Sequence, residues 1–467
     1  MTGMTSSVGR LLRNPFARAL LLTILVMGFS AWLHPVIGVR DGDAFNYVIG
    51  AHSIQAGAGF VSAGGRPLGH WAPGYAFLLA CFPDPLFGAW VINWLALGGV
   101  AGLLFLIARR NDWPTTAAAG LSGFLSAGFF RWLATTSTPD VLCYALFLAG
   151  LFLLMGEGKS RLAGFCLWAV LPLFKYVAAL FVPIGSRVIR WNGRPMKRGW
   201  ILAAIFLWGT VWIGLVGWNF WRGGGWLLEM QERPALAELT AYPVVFLKSI
   251  FRDLLGPWYG SVRSPLALGL SGGVAALALF ALASLRPSER SRTWLILGGL
   301  ILATLLGMSF VFTVYWGVRL SGYGLFVILL SLRPSGRSSR WLLLALAMTI
   351  AGSVNALRSN SLGGNDPRYR AVAEEFRGGI EGLGDRELYT NAYGIFELHA
   401  GIPSHWTQAE ADLSGIPVGG FFLWVNLPAR FDSMAELVRP MPRPDSARFE
   451  ELLRRPNAVL FRKARAG

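Results

Sequence analysis

Residues 17–38 read ARALLLTILVMGFSAWLHPVIG, a run whose only full charge is Arg18. A helix of that length crosses the roughly 30 Å of a bilayer's hydrocarbon. Arg10 and Arg13 precede it, which is the layout of a secretory signal. The run is too long for the apolar part of such a signal and lacks a clear small-x-small cleavage site, so it reads as an uncleaved first helix. Similar apolar blocks recur at 86–108, 116–134, 139–156, 199–219, 264–285, 293–315, 320–333 and 340–356. The composition of the 467 residues agrees: 54% are hydrophobic and 14% charged, where soluble domains carry about 25% charge. The mean hydropathy is +0.50.

The net charge of +17 would suggest nucleic acid in a soluble protein. Here the basic residues cluster in short loops between apolar blocks, so the positive-inside rule and anionic lipid account for them. No nucleic-acid partner is implied; membrane lipid is. Cys81, Cys143 and Cys166 stand in apolar surroundings at no ligand spacing, and read as packing residues rather than a disulfide framework.

Orientation follows from the loops. Arg109–Arg110, Lys159–Arg161, the run Arg187 to Arg198, Arg286 to Arg292 and Arg333 to Arg340 are basic, and placing them all in the cytoplasm puts the N-terminus there too. The segment Ala163 to Ile189 has basic loops on both sides. A single crossing would export Arg187 to Arg198; two short helices meeting near Lys175 would keep them inside. The hairpin is favoured, bringing the count to about eleven crossings and the C-terminus outside. An intramembrane lysine is costly and should face a polar cavity or an anionic partner.

The expected fold is therefore an all-α polytopic membrane domain, residues 1–357, with outer loops at 39–85 and 219–265. A small C-terminal α/β domain, 358–467, follows on the periplasmic side. In that tail Tyr369–Arg377 and Ser446–Arg454 look helical, and Glu387–Tyr389, Gly420–Val425 and Ala458–Arg462 look like strands. The loop at 219–265 mixes Trp221, Trp226, Trp258 and Tyr259 with charges, as an interfacial helix does. No internal repeat is apparent.

Acidic residues are scarce in the apolar part, which singles out Asp41, Asp43 and Asp140. Each stands at a helix start on the outer side. One reading is capping, since Asp suits an N-cap and the positive end of the helix dipole. The other is chemistry on a substrate that arrives from the lipid. The five histidines could suggest a metal held by His52 and His70, but no helical spacing pairs them. No cofactor is implied, and a divalent metal is not indicated. Arg222-Gly223-Gly224-Gly225 lacks the strand and lysine of a phosphate-binding loop.

The order of the outer-loop elements adds to this. Asp43-Ala44-Phe45-Asn46-Tyr47, Ala51, Gln55-Ala56-Gly57-Ala58-Gly59-Phe60 and Trp71-Ala72-Pro73-Gly74-Tyr75 resemble the first periplasmic loop of the GT-C glycosyltransferases. The likeness is to the bacterial branch that includes the lipid A aminoarabinose transferase and the protein O-mannosyltransferases. It continues at Thr138-Pro139-Asp140-Val141-Leu142, and more faintly at Leu173-Phe174-Lys175-Tyr176, Tyr315 to Arg319 and Thr390-Asn391-Ala392-Tyr393. The family's double proline is Ala72-Pro73 here, and His70 and Trp71 replace a charged residue often found before it.

The resemblance implies an inverting glycosyltransferase of a bacterial inner membrane, drawing on a polyprenyl-phosphate sugar at the outer face. Asp43 is then the base that deprotonates the acceptor, and Asp140 orients the acceptor or stabilises oxocarbenium charge. Lys175 and Arg319 receive the departing phosphate; Asp41, Tyr47, His70 and Tyr75 complete the substrate-binding set. The acceptor, a glycan, lipid or protein, is left open. Other classes stay in play: a transporter or flippase of lipid-linked sugars, or a polymerase or ligase using similar donors. Transporters usually carry repeat symmetry and paired broken helices at the midplane, whereas the polar features here gather at one surface.

Overall fold

The computed structural model describes residues 14–33, 42–62, 65–69, 71–190, 197–221, 285–287, 292–311, 318–334, 338–357, 367–381, 388–392, 395–396, 402, 404–407, 410–426 and 441–464. The outer loop expected at 219–265 and the helix expected at 264–285 lie almost wholly outside these residues. The chain divides into two compact units. One comprises Met1–Pro35, Val91–Thr135 and Pro139–Asn360; the other Val36–Trp90, Thr136–Thr138 and Ser361–Gly467.

The first unit is helical. Its helices are α1 (Pro15–Leu33), most of α4 (Pro85–Arg110), α5 (Thr115–Leu125), α6 (Arg131–Ala134), α7 (Asp140–Leu154), α8 (Lys159–Val170), α9 (Phe181–Arg190), α10 (Arg198–Trp221), α11 (Arg292–Val311), α12 (Val318–Ser331) and α13 (Ser338–Leu357). Among the described residues, α1, α4 and α10 are each long and apolar enough to cross a membrane. The outward faces of α1 and α10 are themselves apolar, with Trp32 66% and Phe206 77% exposed. Water gives no reason for such a surface; hydrocarbon does.

Small residues let the helices meet closely. Gly98 and Gly102, one turn apart on α4, face Thr23 and Met27 of α1, and Thr23 Oγ1 donates to Gly98 O at 2.9 Å. A side chain at Gly164 of α8 would run into the backbone of Gly150 on α7. These are the small-residue contacts by which helices associate where hydrophobic burial offers no drive.

Between α8 and α9 the chain leaves the α-helix through two 3₁₀ turns, Leu171–Leu173 and Tyr176–Leu180, with Lys175 extended between them (φ −155°, ψ 115°). A straight helix would set residue 185 about 26 Å from residue 168. Instead Gly185 packs directly against the rings of Trp168 and Phe165. The two limbs therefore lie side by side, and 163–189 is a hairpin with Lys175 at its tip.

Several contacts bring the basic loops to one end of this unit. Arg18 donates to Thr115 Oγ1 at 2.9 Å. Arg110 donates to Phe152 O at 3.3 Å and lies over the Phe152 ring. Asn111 and Trp113 donate to Leu330 O and Leu332 O at 2.8 and 2.5 Å, and Arg333 pairs with Asp112 at 2.7 Å. The same five residues, SLRPS, occur at 284–288 and 331–335. Strands β1 (Leu285–Pro287) and β2 (Leu332–Pro334) within them pair antiparallel, Arg286 opposite Arg333. Asp140 opens α7 at the end remote from Phe152, about 18 Å away along the helix.

In the second unit, the first loop holds α2 (Gly42–Gln55) and α3 (Gly74–Ala80). The glycine-rich turn between them uses left-handed backbone at Gly57 (φ 78°) and Gly59 (φ 85°), which costs a glycine little. Gln55 Nε2 ties the end of α2 to Phe82 O at 2.6 Å.

The tail has helix α14 (Pro367–Glu381) and a five-stranded sheet in the order β4-β3-β5-β7-β6. Its strands are β3 (Leu388–Thr390), β4 (Ser404–Trp406), β5 (Phe421–Val425), β6 (Phe449–Arg455) and β7 (Ala458–Lys463). Strand β3 runs parallel to β4 and β5; β7 is antiparallel to β5 and β6. Phe422, Phe449, Phe461, Ile416 and Val459 form the core. The stretch Ser446–Arg454, expected as helix, is instead largely edge strand. Its Glu450, Glu451, Arg454 and Arg455 suit a helix by propensity, but pairing with β7 and burial of Phe449 decide the outcome. Those charges keep the open edge from recruiting another strand.

Candidate active site

The first-loop residues form one local arrangement. Asp43 sits in the first turn of α2, half-buried, and its Oδ1 accepts a hydrogen bond from Trp71 Nε1 at 2.9 Å. An indole N–H is a donor only, so this contact fixes the direction of the carboxylate. Tyr47, one turn on, is buried and meets the buried Tyr75 edge-on, ring centroids 5.5 Å apart. Phe60 lies beneath α2 at Gly50, where any Cβ would collide with its ring. The turn thus returns the chain so that Trp71 and Tyr75 reach back to α2. Asp41 and His70 lie outside the described residues.

A second arrangement belongs to the helical unit. Asp140 is the first residue of α7, and the position before it, Pro139, makes no side-chain cap. The Asp140 carboxylate is fully buried and forms an ion pair and hydrogen bond with Lys175 Nζ, whose side chain is 17% exposed. The α7 dipole also favours negative charge at its first residue. The pair supplies the anionic partner that the sequence demanded for the lysine at the hairpin tip.

Aromatic rings pack beneath it. Tyr144, one turn along α7 from Asp140, stacks on Tyr323 of α12 at 4.2 Å, and Phe147 stacks on Trp168 of α8 at 5.1 Å. Phe181 of α9 touches Phe147, Trp168 and Tyr323. Four helices are thereby locked together below the ion pair. Between α5 and α6 the helix widens to a π-turn at Ser126–Phe130, whose Phe129 and Phe130 join the same cluster. Such widenings are frequent at functional sites. Arg319 lies in the first turn of α12, and its side chain is outside the described set.

Sequence reasoning singled out Asp43 and Lys175 but missed Trp71 as the holder of Asp43. It noted Trp71 only as a departure from a family pattern. The usable signal was an indole donor shortly before Pro73-Gly74-Tyr75, in a loop that must turn back. The π-turn had no signal beyond its small residues.

The chain is similar to two solved structures of ArnT from Cupriavidus metallidurans, one in the apo state and one bound to undecaprenyl phosphate. Each is 13% identical, with 98% of this chain and 98% of that chain covered, at a TM-score of 0.47. No family model matches the chain, and no curated protein matches it.

Proposed function

We propose that this protein is an inverting glycosyltransferase that moves a sugar from a polyprenyl-phosphate donor to an acceptor at the outer face of a bacterial inner membrane. The observation that carries the reading is Asp43, a half-buried carboxylate at a helix start, aimed by the Trp71 indole inside the GT-C-like loop. Asp43 accepts the proton of the acceptor's hydroxyl or amine. The freed lone pair forms a bond to the anomeric carbon as the bond from that carbon to the phosphate oxygen breaks. The polyprenyl phosphate departs with the electron pair, and one displacement from the far face inverts the centre. Phosphate is already a good leaving group, so the step needs no general acid.

Lys175 is the cation assigned to that phosphate, with Arg319 as a second. Burial of Asp140 against Lys175 supports a positioning role for Asp140 rather than contact with the acceptor. Lys175 at the hairpin tip and the basic loops at the opposite end of the unit support a donor site on the outer side.

The test is transfer of label from polyprenyl-phosphate sugars by purified protein supplied with candidate acceptors. Asp43→Asn should abolish transfer and keep donor binding, because Asn can cap but cannot take the proton. Full transfer by this variant removes the base assignment. Movement of labelled lipid across vesicles with no transfer indicates a flippase instead.

A further inference from the structure

The tail domain carries a cleft that the transfer reading does not use. It opens at the end of the sheet where β5 leaves the fold and β6 turns into β7, with a volume of about 460 Å³, within the range of small-molecule sites. Trp424, Asn426, Arg443, Arg454, Arg455 and Asn457 line it. Trp424 is partly buried, packs on the sheet core, and spends its one donor on Met441 O at 3.0 Å. Its ring is therefore held in place and offers a flat apolar face. Asn426 N bonds to Asn457 O at 2.8 Å, which sets the two asparagines side by side. Among the described residues their side-chain amides have no hydrogen-bond partner.

The charge of the cleft is one-sided. Glu451 is shared by Arg443 and Arg454, while Arg455, exposed on the edge strand, is in no ion pair among the described residues. Arg454 donates both Nε and Nη2 to Glu451 at 2.7 Å, and Arg443 donates to the same carboxylate, so Arg455 is the guanidinium of the lining that is left over. Guanidinium forks match phosphate and carboxylate oxygens two at a time. A ring face with paired amides beside it suits the C–H face and hydroxyls of a pyranose.

We infer that this cleft binds a saccharide bearing an acidic group, a sugar phosphate or a uronate, with the ring on Trp424 and the anion on Arg455. The site is independent of the transfer chemistry, and its occupant is recognised by ring and charge together.

Full-length protein in nanodiscs, titrated with glucose 1-phosphate, glucuronic acid, glucose and inorganic phosphate by saturation-transfer NMR and calorimetry, tests this. Saturable binding of one or both acidic sugars is expected, with the stronger of the two naming the source of the anion. Glucose alone and phosphate alone should each bind at least about tenfold more weakly, as each lacks one of the two contacts. Arg455→Glu should abolish the binding; because this side chain is exposed and outside any described ion pair, the fold is retained. Trp424→Phe keeps an aromatic packing residue and should weaken the acidic sugars while leaving phosphate unchanged. The inference is overturned if no acidic sugar saturates, if Arg455→Glu leaves binding intact, or if phosphate binds as tightly as its sugar ester.

Discussion

Asp140 and Lys175, thirty-five residues apart, form an ion pair in which the carboxylate is wholly buried and the lysine side chain is part-buried. Removing one member leaves the other charged in a low-dielectric site, which typically costs about 3–5 kcal/mol, whereas replacing both by apolar groups is often neutral. Asp140→Ala and Lys175→Ala should each lower the melting temperature clearly. Asp140→Leu combined with Lys175→Met should recover most of that loss yet remain poor in transfer. Thermal melts in detergent alongside the transfer assay check this, and a stable, fully active double variant would remove Lys175 from the donor site.

The Trp71–Asp43 contact makes a separate prediction. Trp71→Phe keeps the ring and deletes the donor, so kcat and kcat/KM should fall together by about tenfold, the value of one charge-assisted hydrogen bond. In the Asp43→Asn background the same change should have little further effect, since the two act as one unit. Independent, multiplicative losses would mean that Trp71 acts on the substrate directly.

Topology is open to reporters. The first loop and the tail fall in one compact unit, so fusions at Gly65 and Gly363 are expected in the same, periplasmic, compartment. A fusion at Gly158, between α7 and α8 at the basic end, should report the cytoplasm. Gly65 and Gly363 on opposite sides would reverse the topology that the hairpin gives.

Acid should weaken the tail through Glu451. The hydrogen bond from Arg454 chiefly, then the charges of Arg454 and Arg443, lower its pKa from the ordinary carboxylate value. A depressed folded-state pKa contributes stability that is present above the unfolded value, near 4.3, and lost as pH falls through the folded one. Glu451→Gln should therefore melt lower than the parent at pH 7 and converge with it as the pH falls through the lowered folded-state value. The group is exposed, so the difference is small. A gap that persists unchanged at low pH would assign the effect to packing.

Much of the helical unit was legible because a membrane span is a length and a composition, both visible in one pass. The hairpin was legible for a related reason: basic loops on both sides of 163–189 could not be reconciled with one crossing. Contacts between distant residues were not. The indole of Trp71 reaches Asp43 across twenty-eight positions, and no periodicity encodes that. The charges of Phe449–Arg455 fall at helical as well as strand spacing, and β7 makes the choice. The SLRPS segments are too short to register as a repeat, although the fold pairs their Leu-Arg-Pro stretches antiparallel.

The hairpin also bears on how the chain is made. Each limb is short; α8, at twelve residues, reaches only about 18 Å, too little to be stitched into a bilayer as an independent stop. The limbs must enter together, carrying an ammonium group at their tip. Synthesis runs from the N-terminus, so α7 is complete, with Asp140 at its head, before Lys175 leaves the ribosome. The counter-ion is waiting when the costly group arrives. Loss of Asp140 would then be felt first during biogenesis, as nascent chains stalled at insertion and cleared by membrane proteases, before any mature molecule meets a substrate.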